Sequence, residues 1–253
     1  DQEDVLAGHS IFSDVIAHTL GNLEVTMQAR DVVIVTAKRT AIGRLGGGLA
    51  PVRADDLLAD VFTAAVAESG IEAAAIDEIY AGCANQAGED NRNVARMATV
   101  LAGLPHSIPA VTVNRLCASG LEAVVQAGRQ IALGEAEVCI AGGVENMSRA
   151  PYVMGKAAKA FPVGSPAVFD TCLGWRFPNP KMAEIFPLEA MGCTAENLVD
   201  DFSISRAEQD AFALASQQKA LTAQAEGAFD AEIVPVEVAG RRGAISIVDR
   251  DEG

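Results

Sequence analysis

The amino-acid sequence predicts an α/β fold: a mixed, mainly parallel sheet with helices on both faces, followed by an irregular and partly helical excursion. Two observations carry this prediction. Short apolar runs alternate with stretches of helical period at the spacing of right-handed crossovers, and prolines and glycines break that alternation from residue 144 to about 190. A third bounds it: 253 residues, 50% of them hydrophobic, can bury a sizeable core in one large or two modest domains.

Residues 1–26 are mixed in polarity and read as an N-terminal extension ahead of Met27, a candidate natural start. The α/β unit then spans 27–143. Val32 to Ala37 is an apolar, β-branched run and reads as a strand. Asp55 to Ser69 reads as a helix, because Leu58, Val61, Phe62, Ala65 and Val66 recur at helical spacing and Gly70 closes it. Ile76 to Cys83 is the second strand. Asn93 to Ala102 is a helix stopped by Gly103, and Pro109 to Val113 is a strand. The next helix begins at Ala118, carries Leu121, Val124, Val125, Gly128 and Ile131, and ends at Gly134; Glu137 to Ala141 is the strand after it.

Residues 144–253 form the second unit. Pro151, Pro162, Pro166, Pro178, Pro180 and Pro187 fall in its first part with Trp175, the only tryptophan, which reads as a loop leaving the sheet. Two helices follow, about Met191 to Asp201 and Ser205 to Gly227. Ser205 and Glu208 form an S-x-x-E capping box at the start of the second, and Phe212, Leu214 and Ala215 supply part of its apolar face. Glu232 to Val238 and Ala244 to Asp249, joined by Gly240-Arg241-Arg242-Gly243, read as a hairpin.

Charge and cysteine usage narrow the function. Against 34 acidic residues stand 19 basic ones, and a net charge of -15 repels phosphate backbones and anionic membranes, so neither nucleic acid nor membrane is an expected partner. No apolar stretch approaches the roughly 20 residues of a bilayer span, and Asp1-Gln2-Glu3-Asp4 is acidic where a secretory signal is basic. A cytoplasmic location is expected. Five cysteines without paired spacing argue against a disulfide framework. No CxxC or HExxH spacing occurs, and His9, His18 and His106 are scattered, so no metal site is expected.

The segment Val113-Asn114-Arg115-Leu116-Cys117-Ala118-Ser119-Gly120-Leu121 sets a cysteine between a strand and a helix start. Helix-end amides favour negative charge, and the thiolate is the nucleophile. Small residues after it leave room for a flat thioester, which makes Cys117 the candidate nucleophile. The competing reading of a cysteine is a space-filling core residue. It fits Cys83, Cys139, Cys172 and Cys193 better, Cys83 and Cys139 because they lie in or just after apolar runs. Gly43, Gly46, Gly47 and Gly48 lack the spacing of a phosphate cradle and read as a flexible connection. Gly88 to Asn93 is either a capped, solvated loop or a substrate-facing one. Glu145 and Asn146 follow a strand end and suit either a site or a turn.

Several long motifs in order now bear on the question. They are Arg39-Thr40-Ala41-Ile42-Gly43-Arg44, the segment from Gly82 to Arg96, the Asn114-to-Gly120 nucleophile motif, the segment from Ala141 to Pro151, and the segment from Ser205 to Ala213. Together they resemble the thiolase family from about Val32 to the last residue, most nearly its bacterial members that cleave β-ketoadipyl-CoA. The resemblance implies a thiolase-like layered fold with a loop domain. It also implies an acyltransferase in which Cys117 takes the acyl group from a 3-oxoacyl-CoA and passes it to coenzyme A, with the Cys117 backbone N–H as one oxyanion donor. β-Ketoadipyl-CoA is the favoured substrate; acetoacetyl-CoA or general 3-ketoacyl-CoA cleavage is the alternative. Met191 matches a position near the pantetheine of coenzyme A, although this chain has Ala190 where some members have histidine. Arg92, Arg96 and Arg176 are candidates to pair with a substrate's distal carboxylate.

By the same resemblance, coenzyme A and acetyl-CoA are substrates rather than permanently bound cofactors, and a homo-oligomer, dimer or tetramer, is expected. The family's second half supplies a Gly-His-Pro histidine and a second cysteine. Neither motif occurs here, so the C-terminal thiolase domain is absent and the chain alone is expected to be inactive. A non-catalytic acyl-CoA-binding or partner-binding half-enzyme is the reading from another class. A ketosynthase, the weaker enzyme alternative, would need an acyl-carrier protein.

Overall fold

The computed structural model describes residues 30–252; the expected extension over 1–26, with His9, His18 and Met27, lies outside them. In chain order the elements are β1 (Arg39–Thr40), α1 (Ala54–Ser69), β2 (Glu78–Gly82), α2 (Val94–Leu101), β3 (Ala110–Val113), α3 (Ser119–Ala132), β4 (Cys139–Gly143), β5 (Tyr152–Met154) and β6 (Val168–Asp170). Then come α4 (Pro180–Ile185), α5 (Met191–Phe202), α6 (Arg206–Ala225), β7 (Ile233–Val234), β8 (Val236–Ala239) and β9 (Ile245–Val248).

The parallel sheet has the order β3-β2-β4, with Gly82 opposite Val113 on one side and Gly143 on the other. Strand alternation sends successive side chains of β2 to opposite faces. Ile79 and Ala81 face Leu58 and Phe62 of α1 and Val94, Ala95 and Ala98 of α2, all buried in one cluster with Ile76, Leu104 and Ile108. Burying a side chain the size of Phe62 or Ile79 contributes about 1.5–3 kcal/mol, which makes this contact the main source of cohesion. Tyr80 and Gly82 face α3 instead: the Tyr80 hydroxyl donates to Gln130 Oε1 at 3.0 Å. Helices therefore cover both faces. Gly70 and Gly134 stop α1 and α3 in the left-handed conformation, at φ 66° and 75°, as their positions in the sequence predict.

The expected strand Val32 to Ala37 is not one. It enters no ladder among the described residues; Val33 and Ile34 are 76% and 80% exposed, and the segment and β4 both line a groove of about 840 Å³. A strand needs a neighbour for its N–H and C=O groups, and apolar sequence alone cannot supply one. The expected hairpin is also divided. Pro235 has no N–H to give a ladder, so Ile233–Val234 pairs in parallel with β1, while β8 pairs antiparallel with β9.

The excursion after residue 144 is more ordered than its prolines suggest. β5 and β6 form a short antiparallel pair, and Pro180 opens α4 behind an Asn179 cap. The capping box of α6 is present in full, with Ser205 bonded to the Glu208 amide and Glu208 to the Ser205 amide. Its apolar face is not buried as periodicity implies: Phe212 is 80% exposed and Leu214 60%. No described helix is long and apolar enough to cross a membrane.

Candidate active site

Parallel pairing brings the C-terminal ends of β2, β3 and β4 to one edge, so the loops after them gather there, the usual place for a site in an α/β sheet. Cys117 stands on the loop after β3, one residue before the cap of α3, and is exposed. The residue before it, Leu116, has φ 51°. A left-handed leucine costs on the order of 1–3 kcal/mol and persists only where its surroundings enforce it.

The enforcing bonds are present. Asn114 Oδ1 accepts from the Leu116 amide at 2.9 Å, and Asn114 Nδ2 donates to the Ala84 carbonyl at 2.9 Å, tying this loop to the one after β2. Ser119 Oγ accepts from the Arg115 amide at 2.8 Å and donates to the Leu116 carbonyl at 2.6 Å. Arg115 also pairs with Glu122 at 2.8 Å. Underneath, Gly82 lets β2 touch the helix start: a Cβ there would lie 2.3 Å from the Ser119 carbonyl carbon and 2.4 Å from the Gly120 amide nitrogen. No side chain caps α3; the Ser119 amide turns back to the Leu116 carbonyl at 3.0 Å, which leaves the Gly120 and Leu121 amides of the first turn to meet an anion or a developing oxyanion at this helix start.

The other cysteines differ. Cys83 is buried, and burial together with the Glu145 and Asp90 carboxylates pushes its thiol up to about 12. Cys83, Asp90 and Glu145 present ligand atoms within 4.8 Å of one another, yet both carboxylates are engaged by backbone: Asp90 Oδ1 by the Gly88 amide at 2.9 Å and Glu145 Oε2 by the Ala84 amide at 2.8 Å. Cys139, half-buried, is pushed up to about 11, again chiefly by burial. Cys172 is half-buried, whereas Cys193, expected to fill space, lies exposed on α5.

The loop Gly88 to Asn93 is built more than it is solvated. Arg149 makes a two-pronged pair with Glu89 and holds its carboxyl below the usual range, and Arg53 joins at 3.4 Å. Asn93 caps α2 by accepting from the Arg96 amide at 3.1 Å. Between these anchors Asn91 and Arg92 are left-handed, at φ 49° and 69°, and exposed. Arg96 is committed elsewhere, donating to the Ile108 carbonyl at 2.7 Å and the His106 carbonyl at 3.0 Å. Arg176 reaches the Thr171 and Asn85 carbonyls at 3.4 and 3.3 Å. Met191 opens α5 behind Ala190 and is 82% exposed. Asn146 proves to be a brace, its Nδ2 donating to the Val52 carbonyl at 2.7 Å.

The glycine run after β1 is an anion cradle rather than a flexible connection. Its occupant is the chain's own Glu252, whose carboxylate accepts from the Arg44 and Gly48 amides at 2.8 Å each. A Cβ at Gly47 would lie 2.2 Å from Glu252 Oε2. Sequence reasoning also passed over Asn114 and Ser119, although both lie inside the segment around Cys117. Gly82 carries no local signal at all, since its need for a bare Cα arises only once β2 meets α3.

Comparison with known proteins agrees with this arrangement. The family described as "Thiolase, N-terminal domain" matches residues 32–253. Curated relatives include a "Beta-ketoadipyl-CoA thiolase" of Pseudomonas aeruginosa, 58% identical over 225 residues, and a "3-oxoadipyl-CoA/3-oxo-5,6-dehydrosuberyl-CoA thiolase" of Escherichia coli, 52% identical over 224 residues. Each alignment covers 88% of this chain and 56% of the relative. A crystal structure of the Bacillus anthracis acetyl-CoA acetyltransferase superposes with a TM-score of 0.81 at 36% identity, covering 90% of this chain and 56% of that one. The chain thus spans about 56% of the length of the curated relatives it matches. With that match across nearly all of the described residues, and a cysteine held at the head of a helix on the shared sheet, the chain belongs to the thiolase family.

Proposed function

We propose that this chain carries the acyl-accepting cysteine of a thiolase that cleaves 3-oxoacyl-CoA, with β-ketoadipyl-CoA as the favoured substrate. The observation that carries the reading is the placing of Cys117: exposed, one step past a strained residue, at an uncapped helix start. Its sulfur attacks the 3-oxo carbon. The C2–C3 bond breaks, its electron pair stays on C2, and C2 takes up a proton to leave as acetyl-CoA. The acyl group remains as a thioester on Cys117 until the thiol of coenzyme A, giving up its proton, attacks the same carbon and releases the cysteine. Amides at the start of α3 stabilise the oxyanion of each addition.

The proton-handling histidine and second cysteine implied by the family resemblance belong to the part of the relatives that this chain does not span. Alone, it is acylated once and does not turn over. Coenzyme A and acetyl-CoA act as substrates, not resident cofactors; Met191 contacts the pantetheine, and the whole enzyme is a cytoplasmic homo-oligomer. Substrate choice rests on Arg92, because Arg96 and Arg176 already donate to backbone carbonyls while Arg92 is exposed beside the anchored loop. Arg92→Met is expected to slow acylation by β-ketoadipyl-CoA by about 10- to 100-fold, the worth of a charge-assisted pair, and to leave acylation by acetoacetyl-CoA unchanged. Equal losses with both substrates would assign Arg92 another role.

The decisive experiment is intact-protein and peptide mass spectrometry after incubation with β-ketoadipyl-CoA. An acyl adduct on Cys117, absent in Cys117→Ala, is the expected result. Reversible binding without an adduct would replace this reading with that of a non-catalytic acyl-CoA-binding module.

A further inference from the structure

Resting on the reading of Cys117 as the acyl acceptor, we propose that Ser119 is a positioning residue, whose hydroxyl locks Leu116 in the left-handed conformation and so fixes the sulfur of Cys117. Ser119 is 4% exposed, one of few buried polar side chains among the described residues. Both hydrogen-bonding capacities of its hydroxyl are turned back onto the nucleophile loop: it accepts from the Arg115 amide at 2.8 Å and donates to the Leu116 carbonyl at 2.6 Å. These groups flank the one strained residue of the loop, Leu116 at φ 51°.

The lock has a rigid base. Gly82 of β2 lies against the Ser119 carbonyl carbon so closely that even a methyl group would overlap it. The serine backbone is therefore fixed to the sheet, and its side chain reaches from that fixed point to residues 115 and 116. Asn114 Oδ1 accepts from the Leu116 amide, and the Ser119 and Ala118 amides donate to the Leu116 and Arg115 carbonyls at 3.0 and 3.2 Å; the hydroxyl adds the bond to the Arg115 amide and a second, shorter one to the Leu116 carbonyl. Leu116 itself is 70% exposed, so its packing does not hold the conformation. Without the serine hydroxyl, Leu116 relaxes toward an ordinary backbone conformation and Cys117, the next residue, swings with it.

The test measures the rate of Cys117 alkylation by iodoacetamide against that of Cys193, an exposed internal control in the same sample. Ser119→Ala is expected to lower the Cys117 to Cys193 ratio about tenfold, and Ser119→Thr, which keeps the hydroxyl, to retain most of it. Adding Leu116→Gly to Ser119→Ala is expected to restore the ratio, because glycine adopts positive φ without a lock. An unchanged or raised ratio in Ser119→Ala alongside a lower melting temperature would reduce Ser119 to a structural role and overturn the proposal. Should the single variant fail to fold, the double variant decides: a ratio near that of the parent supports the lock, and a tenfold loss overturns it. Iodoacetamide needs no thioester chemistry, so failure here is distinct from failure of the acyl-acceptor reading, which the acyl adduct tests.

Discussion

Water and backbone amides reach the five cysteines unequally, and that decides which thiols can react. Alkylation proceeds through the thiolate. With its thiol pushed up to about 12, Cys83 would hold about one part in ten thousand as thiolate at pH 8 even if reagent could enter. Cys139, at about 11, is little better. Iodoacetamide at pH 8 is therefore expected to label Cys117 and Cys193 in the folded protein and Cys83 only in denaturant, read by peptide mass spectrometry. Rapid labelling of Cys83 in the folded state would contradict the buried carboxylate-flanked setting. The settings of Cys83, Cys139 and Cys117 were legible in the sequence, because an apolar run around a cysteine and a strand-to-helix junction around another are local patterns; that of Cys193 was not, for it reads as space-filling and is exposed. The fate of Arg96 was not: its acceptors lie at His106 and Ile108, and only the turn after α2 brings those carbonyls to it.

At the scale of elements, the contact between β2 and α3 sets where the nucleophile stands. Gly82→Ala inserts a methyl against backbone atoms of Ser119 and Gly120, which cannot rotate away as a side chain would. Overpacking of this kind costs about 1–3 kcal/mol, and rigid neighbours put this case at the upper end. The expected outcome is a fall in melting temperature of about 6–12 °C, from roughly 2–4 °C per kcal/mol at this chain length, with slower alkylation of Cys117. Gly128→Ala in the same helix is the control, since no atom lies within 4 Å of its added Cβ; it is expected to be neutral or stabilising by up to about 1 kcal/mol. If both variants melt alike, close approach is not what holds α3 in place. Sequence periodicity located α1, α2, α3, α5 and α6 to within a residue or two, because a helix satisfies its own backbone. Strands depend on partners far along the chain, and there the reading failed in two ways. Val32 to Ala37 has the right composition and no strand neighbour among the described residues, whereas β7 left its expected hairpin to join β1.

On the scale of the whole molecule, Arg39 joins segments that no local pattern relates. Its guanidinium donates to both oxygens of Asp251, at 2.6 and 2.9 Å across 212 positions, and to Glu232 at 2.6 Å, with the Phe229 ring 5.2 Å from its centre. Asp251 Oδ1 also accepts from the Ile42 amide at 2.7 Å, so one carboxylate ties the end of the described chain to the connection after β1. The Asp251 side chain is 11% exposed, and removing one member of such a hydrogen-bonded charge pair costs about 1.5–3 kcal/mol. Its pH dependence has a definite sign. The Arg39 hydrogen bonds hold the Asp251 carboxyl below the usual carboxylate range, so the unfolded chain takes up the proton first as the medium is acidified. The stabilisation is complete above about pH 4, the unfolded value, and is lost as pH falls through the lower folded value. Other carboxyls lowered in the same way, Glu89 among them, contribute with this sign, while Asp60 and Glu78, raised by burial, contribute with the opposite one. The difference between parent and Asp251→Asn isolates the clamp. Thermal melts should show the variant less stable by about 1.5–3 kcal/mol at pH 7, with the gap closing as the pH falls below about 4, the unfolded value, and the parent loses its clamp. A gap that stays constant on acidification would mean that the pair holds these segments by packing alone.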